Sequence, residues 1–115
     1  MLGQNNEIYL ARFVVDMRKS IDGLSVLVSD HFGRNPTDGS MYVFLNRTLD
    51  KLKLLYWDRN GFVVSYKRLE KGRFKLSLSR EGVYQLDAHQ LQWLLSGLPF
   101  DKIKGHPKLQ YQLFS

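Results

Sequence analysis

Apolar and polar positions alternate at two periods along the chain, and each change of period marks an element. Residues 8–15 are apolar on both faces apart from Arg12, and rich in β-branched and aromatic side chains, which predicts a buried strand. Met17, Ile21, Leu24, Leu27, Val28 and His31 follow at helical spacing. They predict a helix over about residues 17–32, with Asp16 as its N-cap and Gly33 as its stop. Residues 34–40 are turn formers, and residues 41–45 read as a second short buried strand. Strand, helix and strand in this order suggest a right-handed crossover, although the first pairing need not be parallel.

A β-meander is predicted next. Asp58-Arg59-Asn60-Gly61 fits a type I turn, and a glycine bulge makes residues 59–61 a three-residue loop. That closure pairs Tyr56 with Val64, Leu54 with Tyr66 and Lys53 with Lys67. A two-residue Asn60-Gly61 turn would put Leu54 opposite Lys67, mixing core and solvent positions on one face, so the longer loop is favoured. A second three-residue loop, residues 70–72, pairs Lys67 with Lys75 and Tyr66 with Leu76. One face then holds Leu52, Leu54, Tyr56, Phe62, Val64, Tyr66, Phe74, Leu76 and Leu78. The other carries Lys51, Lys53, Lys67, Arg73 and Lys75, with Leu55, Trp57, Val63 and Leu69 among them.

Residues 83–85 fit a short strand. Asp87 and Gln90 have capping-box spacing ahead of a Leu91, Leu94, Leu95 stripe, and Gly97 and Pro99 supply a stop. Leu109, Tyr111 and Leu113 alternate with Gln110 and Gln112, the pattern of a late strand on this sheet or on a partner. The expected fold class is α+β: a mainly antiparallel sheet of about five or six strands with a central meander, packed by two α-helices.

The chain has 115 residues, enough for one domain spanning 1–115, with 98–115 as its tail. Its N-terminus shows neither a basic nor an apolar signal region, and no apolar run approaches the ~18–20 residues of a bilayer span. There is no cysteine, which excludes disulfides, thiolate nucleophiles and cysteine-based metal sites and fits a cytoplasmic location.

Charge changes the picture more. The net charge is +6, and residues 47–75 carry all of it: nine cations against three acids, while the remaining eight of each sign cancel. A localised positive field attracts polyanions without choosing between DNA, RNA and an acidic protein. The predicted register places Lys53, Lys67 and Lys75 in one row across three strands. Like charges opposite one another are mildly unfavourable, and an anionic ligand would relieve them. Candidate nucleic-acid contacts are therefore Arg47, Lys51, Lys53, Lys67, Arg73 and Lys75, with Trp57 placed to stack on a base. The bland alternative is that the lysines solubilise a sheet face and Trp57 packs under a loop. Leu55, Trp57, Val63 and Leu69 are candidate anchors for a protein partner.

Signals for catalysis are weak. His31, His89 and His106 are scattered, no acid is followed two residues later by lysine, and no Gly-x-Ser-x-Gly elbow, phosphate loop or dinucleotide fingerprint occurs. A non-enzymatic protein is expected, with no metal and no cofactor.

Three stretches together carry a family likeness. They are Val15-Asp16-Met17-Arg18-Lys19-Ser20-Ile21-Asp22-Gly23-Leu24; Tyr42-Val43-Phe44 leading to Asp50-Lys51-Leu52-Lys53-Leu54-Leu55-Tyr56-Trp57-Asp58-Arg59-Asn60-Gly61; and Tyr66-Lys67-Arg68-Leu69-Glu70-Lys71-Gly72-Arg73-Phe74. In order and spacing, over about residues 8–97, they resemble the small TnpB-type accessory protein of the insertion sequence 66 family of bacterial transposons. Residues 86–95 fit that family's closing helix. The resemblance implies a role in transposition beside a separate transposase and a second small protein, with DNA at the transposon ends as a possible partner. It supplies no catalytic residues. The unrelated RNA-guided nuclease also named TnpB is far longer, and its motifs are missing here.

Overall fold

Five strands and two helices account for the apolar segments of the protein, whose structure, a computed structural model, describes residues 7–99. In chain order these are β1 (Ile8–Val14), α1 (Ile21–Leu27), β2 (Met41–Leu45), β3 (Lys51–Asp58), β4 (Gly61–Arg68), β5 (Val83–Leu86) and α2 (Ala88–Leu95). The sheet order is β4-β3-β2-β1-β5, with β1 and β2 parallel and the other three pairings antiparallel. This is the α+β, mainly antiparallel architecture that the sequence predicts, with α1 in the crossover. The meander is β2-β3-β4. The alternating segment 109–113 lies outside the described residues.

Both faces of the sheet are covered. Leu24 and Val28 pack with Ala11, Val15, Tyr42, Phe44 and Leu55 on one side. On the other, Leu91 and Leu94 of α2 join Phe74 and Leu76, Leu10, Met41, Val43, Leu45 and Leu52. All five residues of β2 are buried, which is why Met41-Tyr42-Val43-Phe44-Leu45 is apolar without alternation.

This double cover corrects the hairpin register. The loop has two residues, Arg59 and Asn60, so Asp58 pairs with Gly61, Leu55 with Val64, Leu54 with Ser65, Lys53 with Tyr66 and Leu52 with Lys67. Arg59, not Gly61, takes the left-handed position, at φ 58°. The core-versus-solvent criterion assumed one wet face. With apolar residues needed on both sides of β3, it no longer separates the candidate registers.

The predicted third meander strand is also corrected. Residues 69–78 cross the α2 face as coil, where Phe74 N–H donates to Leu49 O at 2.7 Å and Phe74 and Leu76 are buried. The Lys67–Lys75 pairing does not exist. At α1 the N-cap is Ser20, without a side-chain bond, rather than Asp16: residues 17–18 form a turn, in which the Asp16 carboxylate accepts from Arg18. After Leu27 the helix widens into a π-helical turn, Val28–Phe32, which Gly33 closes in the left-handed conformation at φ 63°.

Helix α2 begins as its sequence predicts. The Asp87 carboxylate accepts from Gln90 N–H at 2.8 Å, and the Gln90 side chain accepts from Asp87 N–H at 3.0 Å. Replacing Asp87 with alanine is expected to cost about 1 kcal/mol, read from urea unfolding.

Candidate nucleic-acid interface

Because β1 and β2 are parallel, their C-terminal ends lie at the same end of the sheet, where β3 begins and β4 finishes. The segments leaving those strands meet there around an open groove of ≈720 Å³, lined by residues that include Arg18, Arg47, Lys51, Asn46, Thr48 and Tyr66. Its cations come from two segments: Arg18 from the β1–α1 connection, and Arg47 and Lys51 from the β2–β3 turn and the first residue of β3.

The β2–β3 turn is built to hold Arg47 at its tip. Asn46 Oδ1 accepts from the N–H groups of Asp50 and Lys51, at 3.1 and 3.0 Å. Asp50 Oδ1 in turn accepts from Asn46 Nδ2 and Thr48 Oγ1, both at 2.7 Å. These two bonds hold the Asp50 carboxyl well below the usual range. Arg47 projects into solvent from this locked turn.

Arg18 is 91% exposed and grips Asp16, with Nη2 2.6 Å from Oδ2. The side-chain and main-chain bonds from Arg18 lower the Asp16 carboxyl to about 2. Across the strands, Lys51 stands directly opposite Arg68. Lys51 lies 3.4 Å from Asp50, and Arg68 Nε lies 2.8 Å from Glu70. The Arg18–Asp16 and Arg68–Glu70 pairs are exposed and worth at most about 1 kcal/mol, so a phosphate can compete for those two cations at little cost.

Lys53 and Lys67, expected side by side, project from opposite faces. Lys53 Nζ donates to Met17 O at 2.9 Å and Lys19 O at 2.8 Å, tying down the turn before α1. Its ammonium is also 5.8 Å from the ring centre of Tyr66. Lys67 Nζ donates to Leu95 O at 2.7 Å, where a cation complements the C-terminal dipole of α2. Both lysines hold helix ends in place. Arg73 and Lys75 are exposed and border a smaller hollow of ≈280 Å³ with Leu49 and Pro99.

The apolar candidates do not form one patch. Leu55 is fully buried against α1, a correction to its reading as an exposed anchor. Trp57 is half-buried and meets Phe62 edge-on at 5.0 Å. Val63 pairs with Tyr56 and so lies on the α2 face, and Leu69 packs against the core there. Sequence reasoning missed Arg18, Tyr66 and Arg68. Arg18 follows a strand whose parallel partner only the topology reveals, and Arg68 faces Lys51 only in the corrected register.

The far end of β1 and β2 carries a self-satisfied network instead. Arg34 bonds Asp38 at 2.9 Å and Glu7 at 3.2 Å, and its guanidinium lies 4.3 Å from the ring centre of Tyr9. Tyr42 OH donates to Asp38 at 2.9 Å. Burial and the bond to Glu7 push the Tyr9 phenol up to about 12. Burial favours the neutral Asp38 acid, but hydrogen bonds from Ser40, Tyr42 and Arg34 outweigh it and lower the carboxyl. Its folded value lies below the unfolded ~3.9, so its stabilisation is present above about pH 4 and lost as pH falls through the folded value. Asp38→Asn is expected to lower stability at pH 7 and flatten the acid limb of a stability–pH curve.

The fold and site together define an α+β protein with an open groove at one end of its sheet, lined by Arg18, Arg47, Lys51 and Asp16. Among the described residues no His, Cys, Asp and Glu cluster could hold a metal ion, and no helix is long and apolar enough to cross a membrane. The chain belongs to the IS66 Orf2-like family, whose model matches residues 6–105. Two proteins of Sinorhizobium fredii (strain NBRC 101917 / NGR234) are similar to it. The "uncharacterized protein y4jC" is 31% identical over 100 residues, 87% of this chain and 86% of its own. The "uncharacterized protein y4hO" is 34% identical over 96 residues, 84% of each chain. No solved structure matches the chain.

Proposed function

We propose that the protein is a non-catalytic accessory factor of an IS66-type insertion sequence, and that it contacts DNA through the basic end of its sheet. Family membership supports the transposition setting. The observation that carries the DNA reading is the convergence of Arg18, Arg47 and Lys51 on one open groove, with Tyr66 on its wall. Three cations brought to one groove from two chain segments match successive phosphates better than a single anionic side chain. Tyr66, 52% exposed, offers a ring on which an unpaired base can stack. Arg68, Arg73 and Lys75 extend the positive field, whereas Lys53 and Lys67 serve chiefly to hold the helix ends. The transposase and the second small protein of the element are the protein partners in this reading.

Fluorescence anisotropy with labelled duplex and single-stranded DNA tests it. Binding at ~50 mM salt that weakens steeply as salt rises is the expected result. No binding to either at that salt refutes the DNA contact. Trp57, half-exposed beside Phe62, then favours a protein-only role, for which a transposase pull-down lost on Trp57→Ala is the matching result.

A further inference from the structure

The sheet ends differently on its two sides. On one side the edge strand is β5, four residues long, and short edges resist pairing with other chains. On the other it is β4, eight residues long, paired to β3 without a bulge. Among the described residues no strand pairs with the outer side of β4. From Gly61 to Tyr66 it has no proline and no charged side chain, so the usual protections of an exposed edge are missing over six consecutive residues.

The ladder shows which groups face outward. Leu69 N–H donates to Asp50 O at 2.8 Å, one step beyond the Lys51–Arg68 pair. Bonded and non-bonded pairs alternate in an antiparallel ladder, so Leu52–Lys67, Leu54–Ser65, Tyr56–Val63 and Asp58–Gly61 are the bonded ones. Phe62, Val64, Tyr66 and Arg68 therefore turn their N–H and C=O groups away from β3. The side chains of Phe62, Val64 and Tyr66 also share one face, which Val64 and Phe62 continue into the core beside α1.

We infer that β4 pairs antiparallel with β4 of a second copy about a two-fold axis through Val64, joining two sheets into one. In this register the outward groups of Phe62 meet those of Tyr66 in the other copy, and Val64 meets Val64. Two aromatic pairs then flank a β-branched pair on one face, a favourable cross-strand combination. Lys67 faces Gly61 and Arg68 faces Asn60, so no cation stands directly opposite another. Moving the axis one residue to Ser65 would instead set Arg68 against Phe62. The interface is isologous and closes on itself, and it carries one basic sheet end to each side of the dimer.

Light scattering across about a hundredfold range of protein concentration should show monomer passing to dimer and nothing larger. Val64→Pro removes an outward N–H that β3 does not use, so self-association should weaken by about tenfold or more while the circular-dichroism spectrum is kept. The native chain has no cysteine, so single cysteines report geometry cleanly. Val64→Cys should oxidise to a covalent dimer, because directly paired Cα atoms lie about 5.5 Å apart, within disulfide reach. Ser65→Cys, which faces Val63 of the other copy, should not. If Val64→Pro fails to fold, the two cysteine variants decide alone. A chain monomeric throughout with no Val64→Cys dimer, a dimer indifferent to Val64→Pro, or open-ended assembly would each overturn the proposal.

Discussion

Leu55→Ala is expected to destabilise the protein by about 2–5 kcal/mol, the range for deleting a large apolar side chain from a packed core. Leu55 is fully buried among Leu24, Val28, Tyr42 and Phe44, at the contact between α1 and the sheet. An exposed leucine on a one-sided meander would change stability by no more than about 0.5 kcal/mol. Urea unfolding therefore separates a sheet covered on both faces from a sheet with one wet face. A small loss would mean that α1 does not pack where described, and the groove formed beside its leading turn would lose its geometry as well.

The second large effect is expected in DNA binding. If Arg18, Arg47 and Lys51 each neutralise one phosphate, the logarithm of affinity should fall with that of salt at a slope of about −2.7. Raising salt from about 50 to 200 mM then weakens binding roughly 40-fold. Arg47→Glu with Lys51→Glu removes two of the three contacts. Each charge-assisted contact is worth about 1.5–3 kcal/mol, so at low salt the double variant should bind at least ~100-fold more weakly, with a slope near −0.9. The bonds among Asn46, Thr48 and Asp50 that hold the turn use neither replaced side chain, and the change loses only the 3.4 Å Lys51–Asp50 contact, so the fold should survive it.

Sequence pattern revealed the elements more fully than their pairing. The strand at Met41–Leu45 and the capping box of α2 are local features: one needs an apolar run and the other a four-residue spacing. The helix after β1 was legible as a stripe but not in its start: the spacing began it at Asp16, whereas residues 17–18 form a turn and the helix begins after Ser20. Register was not legible. A strand covered on both sides gives no polar face to align, and the left-handed residue proved to be Arg59 although Gly61 stood two residues on.

The candidate site followed the same division. The charge excess of residues 47–75 was plain from counting, and Arg47 and Lys51 remain its best representatives. The lysine row failed because it rested on register: Lys53 and Lys67 reach backbone carbonyls on opposite faces. Arg18 joins the site only because β1 and β2 run parallel, a long-range fact with no local signal.

Arg59 makes the most direct test possible. It sits at the tip of the β3–β4 hairpin, at the far end of those strands from Lys51, and is exposed. Arg59→Glu and Arg47→Glu change net charge equally, so their DNA affinities, measured side by side at low salt, separate a located site from overall charge. The expected result is about tenfold or greater loss for Arg47→Glu and little change for Arg59→Glu. Equal losses, or no loss in either, would contradict a DNA site at the basic end of the sheet.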